Sequence, residues 1–257
     1  MTASQPGPAT RLGFLYPGYA AEDDYPYLAT LLGTNVAAHV VHTSVGEDAH
    51  RVDALLDLGG GERLVEGART LAGHAPHAAM WACTSGSFVF GWEGAGEQVA
   101  ALEKHLDVPV SSTSFAFVHA ARALGVRKVA VAATYPGEVA DRFRDFLLEG
   151  GLEVLRSRGH DIETAAEAGT LDGEEVRRMA VANDTPDAEA ILLPDTAMHT
   201  AAYLDELENT CGKPVLTANQ VTVWMALRLA GRHEPHATLG RLFRLPLPSG
   251  GPVREGT

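Results

Sequence analysis

His77-Ala-Ala-Met-Trp-Ala-Cys-Thr84 is an apolar run that ends on a thiol and a hydroxyl. A short run of this kind, bounded by polar residues, reads as a strand buried on both faces, which is the condition of a strand inside a parallel sheet covered by helices. Working outward, Gly96–Leu106 reads as a helix, Val108–Ser112 as a strand, and Phe115–Leu124 as a helix closed by Gly125. The same order returns later in the chain. Ala188-Glu-Ala-Ile-Leu-Leu-Pro-Asp-Thr196 is again a buried strand ending on polar side chains. It is followed by a helix at Ala201–Cys211, a strand at Pro214–Thr217 and a helix at Gln220–Ala230 ended by Gly231. The strands Val108-Pro-Val110 and Lys213-Pro-Val215 match, as do the helix ends Arg122-Ala-Leu-Gly125 and Arg228-Leu-Ala-Gly231.

The intervening segments fit the same alternation. Arg11–Pro17, Ala38–Val45, Lys128–Tyr135 and a short Glu153–Arg156 read as strands; Val52–Ala72, Glu138–Glu149 and Glu174–Asn183 read as helices. Strands alternating with helices predict βαβ units, hence an α/β fold, and the internal echo predicts two similar parallel-sheet halves related by a pseudo-twofold. The halves are expected at 11–115, completed by the C-terminal segment 220–245, and at 116–219, with flexible tails at 1–10 and 246–257.

The composition narrows the function. In 257 residues, 33 acidic side chains against 20 basic ones leave a net charge of −13, the wrong sign for a nucleic-acid or anionic-membrane partner. No apolar run reaches the ~18–20 residues of a membrane span, and two cysteines do not make a disulfide scaffold. A cytoplasmic protein with a small ligand is the expectation.

Parallel sheets bind ligands beyond the carboxyl ends of their strands, so two facing halves predict one shared cleft. The strand ends present Tyr16-Pro17-Gly18-Tyr19, Cys83-Thr84-Ser85-Gly86-Ser87, Ser111–Ser114, Thr134-Tyr135-Pro136-Gly137, Pro194-Asp195-Thr196 and Thr217–Gln220. A thiol, a carboxylate, phenols and many hydroxyls collect there, without lysine or arginine. There is no metal-ligand spacing and no phosphate-binding glycine motif, so neither metal nor nucleotide is expected. Two readings stand for each key residue. Cys83 is either a core thiol or a reactive one beside open N–H groups. Asp195 is either an acid/base group or the cap of the helix after it. Tyr135 is a ligand contact or a packed aromatic, and Tyr16, Tyr19, Tyr25 and Tyr27 crowd the first loop as a candidate pocket wall.

These residues resemble the aspartate/glutamate/hydantoin racemase superfamily, in its branch of arylmalonate decarboxylase and maleate cis-trans isomerase. The resemblance runs from about Arg11 to Phe243 and is carried by Cys83-Thr84-Ser85-Gly86-Ser87-Phe88, Arg122 to Tyr135, Ala190-Ile-Leu-Leu-Pro-Asp195, Trp224 to Gly231 and Gly240-Arg241-Leu242-Phe243. It implies two Rossmann-like halves, no cofactor, and a site at which Thr84, Ser85, Tyr135 and the N–H of Thr196 hold a substrate carboxylate beside the Pro17 loop. Racemases of the superfamily carry a cysteine in each half, and decarboxylases keep the second, with glycine at the first place. This chain has Cys83 at the first place and Asp195 at the second. Pro17-Gly18-Tyr19-Ala20 replaces the asparagine loop of maleate isomerases, and no second asparagine occurs in Ile162–Gly169. The implied activity is cofactor-independent isomerisation or racemisation of a small carboxylic or dicarboxylic acid through an enediolate or a cysteine adduct. Arylmalonate-type decarboxylation is the alternative, and a catalytically impaired acid-binding relative, in which loss of the second cysteine marks loss of turnover, is the third reading. A homo-oligomer is compatible with all three.

Overall fold

The computed structural model describes residues 9–232 and 234–245; the expected tail at 246–257 and all but the last two residues of the one at 1–10 lie outside them. Eight strands form two parallel four-stranded sheets. β1 (Thr10–Pro17), β2 (Val36–Thr43), β3 (Ala78–Trp81) and β4 (Val110–Ser112) stand in the order β2-β1-β3-β4; β5 (Lys128–Ala133), β6 (Glu153–Gly159), β7 (Ala190–Leu193) and β8 (Val215–Thr217) stand in the order β6-β5-β7-β8. The second sheet repeats the first strand for strand, which is the internal echo in three dimensions. The strands β3 and β7 are buried throughout, as their unbroken apolar runs require, whereas the edge strand β6 alternates between exposed and half-buried positions.

The helices in chain order are α1 (Asp24–Leu32), α2 (Val52–Leu58), α3 (Gly61–Ala72), α4 (Ser85–Phe88), α5 (Gly91–Leu106), α6 (Thr113–Ala123), α7 (Gly137–Glu149), α8 (Ala165–Ala168), α9 (Gly173–Asn183), α10 (Leu204–Cys211), α11 (Ala218–Leu229) and α12 (Arg241–Arg244). Several expectations are corrected. The single helix over Val52–Ala72 is two, broken at Gly59-Gly60. A Cβ on Gly59 would lie 2.2 Å from the carbonyl oxygen of Gly86, so the close approach that breaks the helix is also what requires glycine. The first loop contains α1, which buries Tyr25 in the core and leaves Tyr27 exposed. Thr10 belongs to β1, its N–H bonded to Asn35 O at 2.7 Å, and not to a tail. The expected boundaries at 115/116 and 219/220 fall inside α6 and α11. Ser112 accepts the N–H of Phe115 and so starts α6 at Thr113, and a capping box between Thr217 and Gln220 starts α11 at Ala218.

Two features hold the halves together. The α6 and α11 helices pack against each other, with the Thr113 and Thr222 hydroxyls 2.7 Å apart, and α11 also packs on β1, β3 and β4 of the first sheet. An aromatic seam joins Phe88, Trp92 and Phe115 of the first half to Tyr135, Phe143 and Phe146 of the second, with ring centroids 4.8–5.7 Å apart.

Candidate active site

The carboxyl ends of β1, β3 and β7 open onto one cavity of about 270 Å³. Its lining comes from both halves: Tyr16 to Tyr19 at the end of β1, Val45 and Glu47 to His50 after β2, Leu55 and Leu58 on α2, Cys83 and Ser85 after β3, Ala165 and Ala166 on α8, and Asp195 to Ala197 after β7. The rule of looking just past the strands leads to this cavity.

Cys83 follows β3 and is 3 % exposed. Its sulfur receives the N–H of Gly86 at 3.3 Å and lies 3.8 Å from the Ser85 hydroxyl. A Cβ at 86 would come within 3.1 Å of the sulfur and 3.0 Å of the Trp81 ring, close enough that these neighbours would have to shift by a few tenths of an ångström. Burial pushes the thiol up to about 12; the Gly86 and Ser85 contacts oppose that rise and the nearby charge of Asp195 adds to it. Cys83 therefore rests as a thiol. The turn carrying it is clamped by Gln98, whose Nε2 donates to both Gly59 O and Gly86 O at 2.9 Å.

Asp195 follows β7 and is 4 % exposed. One carboxylate oxygen accepts the N–H of Ala197 at 2.9 Å and the other accepts the Thr134 hydroxyl. Both oxygens act as acceptors, as those of an ionised carboxylate do. No helix starts at Asp195: residues 195–198 form a turn, and a 3-10 turn at Ala201–Tyr203 precedes α10. The side chain closes that turn locally and faces the cavity as well.

The remaining expected residues divide. Pro17, Ser85 and Thr196 line the cavity; Thr84 and Tyr135 do not and lie behind its wall. Thr84 is fully buried, and its hydroxyl oxygen has no hydrogen-bond partner among the described residues. Tyr135 donates its hydroxyl to Pro194 O at 2.9 Å. Burial, with the charge of Asp195 close by, holds that phenol well above its ordinary range. Tyr16 lines the cavity while its hydroxyl accepts from Ala21 N at 3.0 Å and donates to Thr196 O at 3.1 Å, tying the β1 loop to the β7 loop across the halves. Tyr19 lies at the mouth, 77 % exposed and stacked on His42. His199 pairs with Asp23 at 2.8 Å on the surface and does not line the cavity.

The sequence reading passed over His50. It lies in the loop after β2, itself a strand carboxyl end, so the rule that selected the other residues selects this one too. Among the described residues, no group of three or more His, Cys, Asp or Glu is placed to hold a metal ion. Nor is any helix there long and apolar enough to cross a membrane.

Known proteins share this fold. A maleate isomerase of Pseudomonas putida superposes with a TM-score of 0.84 at 19% identity, over 92% of this chain and 98% of its own, which is a likeness of fold. A mutant of arylmalonate decarboxylase carrying glycine-to-cysteine and cysteine-to-serine changes, in the liganded form, superposes with a TM-score of 0.80 at 26% identity over 92% of this chain and 99% of that one. The arylmalonate decarboxylase of Bordetella bronchiseptica is 30% identical over 235 residues, 89% of this chain and 88% of its own. The family profile of arylmalonate decarboxylase matches residues 59–243. With Cys83 and Asp195 both inside the matched stretch, the chain belongs to the arylmalonate decarboxylase family.

Proposed function

We propose that the protein is a cofactor-independent isomerase or racemase of a small carboxylic acid, working by proton transfer through an enediolate. The observation that carries this reading is the placement of Cys83 from one half and Asp195 from the other around one cavity. Asp195 takes the proton on the carbon next to the substrate carboxylate. The electron pair moves onto that carboxylate, and the Cys83 thiol returns a proton to the carbon, leaving a thiolate and a protonated Asp195 to be reset by exchange. A thiol held protonated suits a proton donor better than a nucleophile, which favours the enediolate route over an adduct.

An enediolate needs donors at its two oxygens. Ser85 and the Thr196 N–H, which line the cavity, are the candidates, with Pro17 closing the side. Each well-placed donor in a dry site is worth about 3–4 kcal/mol to the transition state. Tyr135 supports the wall from behind.

Decarboxylation of a malonate-type acid is the second reading, favoured by 30% identity to an arylmalonate decarboxylase along most of the chain. It uses the same donors and the same Cys83 proton, with carbon dioxide leaving in place of a proton.

Incubation with a panel of small α-substituted acids and diacids in D₂O, followed by NMR, separates the two. Deuterium entering at the α-carbon without loss of carbon supports isomerisation, and loss of CO₂ supports the second reading. Cys83→Ala and Asp195→Asn should each lower turnover by roughly 10²–10⁴-fold. Full activity in the Cys83 variant would overturn the assignment, and binding without turnover by the unaltered protein would leave only an acid-binding relative.

A further inference from the structure

Tyr16 is 1 % exposed and lines the cavity from the first half, near the end of β1. The chemistry of its partners fixes the direction of its hydroxyl. A backbone N–H can only donate and a carbonyl oxygen can only accept. The phenol oxygen therefore takes the N–H of Ala21 at 3.0 Å, and its own hydrogen goes to Thr196 O at 3.1 Å. Burial holds the phenol well above its ordinary range, so that hydrogen stays in place. The ring is set edge-on against Tyr25 and His42, with centroids 5.8 and 6.3 Å apart.

The carbonyl it grips belongs to the peptide that joins Thr196 to Ala197. The N–H at the other end of that peptide donates to Asp195 Oδ1 at 2.9 Å. A peptide unit is planar, so its two ends turn together. A hydrogen bond accepted by the carbonyl also strengthens the donor at the N–H. The phenol and the carboxylate thus sit on opposite ends of one rigid unit. On the side of the first half the connection is equally stiff. β1 and β3 pair in register, Leu15 beside Trp81, and the N–H of Ala82 donates to Leu15 O at 2.8 Å. Tyr16 therefore leaves the sheet beside the segment that carries Cys83. From thiol to carboxylate, the path runs through one strand pair, one phenol and one peptide plane.

We infer that Tyr16 is a positioning residue for Asp195, holding its carboxylate in place relative to the Cys83 thiol through the Thr196–Ala197 peptide. The inference rests on the reading of Cys83 and Asp195 as the proton-transfer pair and deepens it. Proton transfer by groups on separate halves depends on their mutual placement, and a small displacement costs roughly tenfold or more in rate. Thr134 holds the other carboxylate oxygen, but from within the second half, so it does not relate one half to the other.

The test is Tyr16→Phe in the full chain. Phenylalanine keeps the ring against Tyr25 and His42 and removes only the hydroxyl. Two quantities are read by NMR: entry of deuterium at the α-carbon of phenylacetate in D₂O, over a range of concentrations, and exchange of individual backbone amides. The kcat for deuterium entry should fall about tenfold or more while KM stays within about twofold. In an Asp195→Asn background the same change should cause no further fall, because the group it acts through is gone. The Ala197 amide should exchange about tenfold faster, while those of Thr200 and Ala201, held by Asp24, keep their rates. A raised KM with kcat unchanged would make Tyr16 a substrate contact and overturn the inference. So would the same tenfold fall in the Asp195→Asn background, or an Ala197 amide that does not respond. The proton-transfer reading fails by a different result: no deuterium enters phenylacetate or any acid of the panel in the unaltered protein, although the Ala197 amide responds to Tyr16→Phe, which leaves the hold of the phenol on Asp195 standing.

Discussion

The loop after β3 and the loop after β7 occupy equivalent places in two sheets of the same strand order, yet they carry a thiol and a carboxylate. Their frames match closely. In the first, the Ser87 hydroxyl donates to Ser112, the residue that starts α6; in the second, the Thr200 hydroxyl donates to Thr217, the residue that starts α11, both at 2.9 Å. The anchoring differs. The thiol loop turns at once into α4 and is held by packing, with Phe88 set against Tyr135 and Phe143 of the other half. The carboxylate loop is held by polar contacts. Asp24 of α1 accepts the N–H groups of Thr200 and Ala201 and the Asn219 amide at 2.9–3.2 Å. A buried thiol is a small hydrophobe that fits an apolar socket, whereas a buried carboxylate needs donors on every side. One inherited frame has thus been lined in two ways to suit two functional groups.

The largest test of that contrast is Phe88→Ala. It leaves a void in the aromatic seam and should cost about 3–5 kcal/mol in denaturant unfolding. A loss below about 1 kcal/mol, the scale of an ordinary surface change, would mean that packing is not what fixes the thiol loop.

Gly59→Ala comes next. The added carbon meets the Gly86 carbonyl at 2.2 Å, so the Cys83 turn must shift or α2 must move away. Overpacking of this kind costs about 1–3 kcal/mol, and turnover should fall with it because the Gln98 clamp spans both glycines. The carboxylate loop has no such neighbour, so a matched Ala197→Gly change should leave the Asp195 contacts in place. Equal effects of the two changes would break the comparison.

The thiol itself gives a pH test. In the folded chain Cys83 is raised to about 12 from an ordinary value of 9.0. The folded state therefore keeps the proton longer than the unfolded one. The stability this adds is fully present below about pH 9 and is lost as pH rises from there through about 12. In a Cys211→Ser background, alkylation of the unfolded chain should accelerate around pH 9 while the folded protein stays slow until close to pH 12. Rapid alkylation of the folded protein at neutral pH would put a thiolate at Cys83 and favour an adduct over proton return.

Much of this was legible in the sequence because the decisive signals are local. Unbroken apolar runs such as Ala78–Trp81 and Ala190–Leu193 announce buried parallel strands, and their polar ends announce the cleft. What stayed hidden depends on contacts between distant segments. Gly59-Gly60 reads as a weak point in one long helix, and only the approach of Gly86 shows why the helix must break there. Tyr25 reads as a loop tyrosine until Asn219, far along the chain, accepts its hydroxyl at 3.0 Å in the core. Thr84 and Tyr135 read as cleft residues because they sit at strand ends, but both are buried and neither lines the cavity. His50 escaped because its loop holds several polar residues, and nothing in the sequence marks the one whose ring is pinned by Ile162 of the other half.

The smallest test concerns the feature the two loops share. Ser112→Ala removes both the acceptor at the start of α6 and the partner of Ser87; Thr217→Ala removes the matching group at α11 and the partner of Thr200. Loss of such a cap costs about 1 kcal/mol. If the frames are equivalent, the two variants should lose the same stability, and the double variant should lose the sum, since well-separated sites add. A shortfall in the double would show that α6 and α11, which meet at Thr113 and Thr222, transmit the loss of one cap to the other. The two loops would then be coupled through the helix pair beneath them, and a change in the thiol half would be felt at the carboxylate.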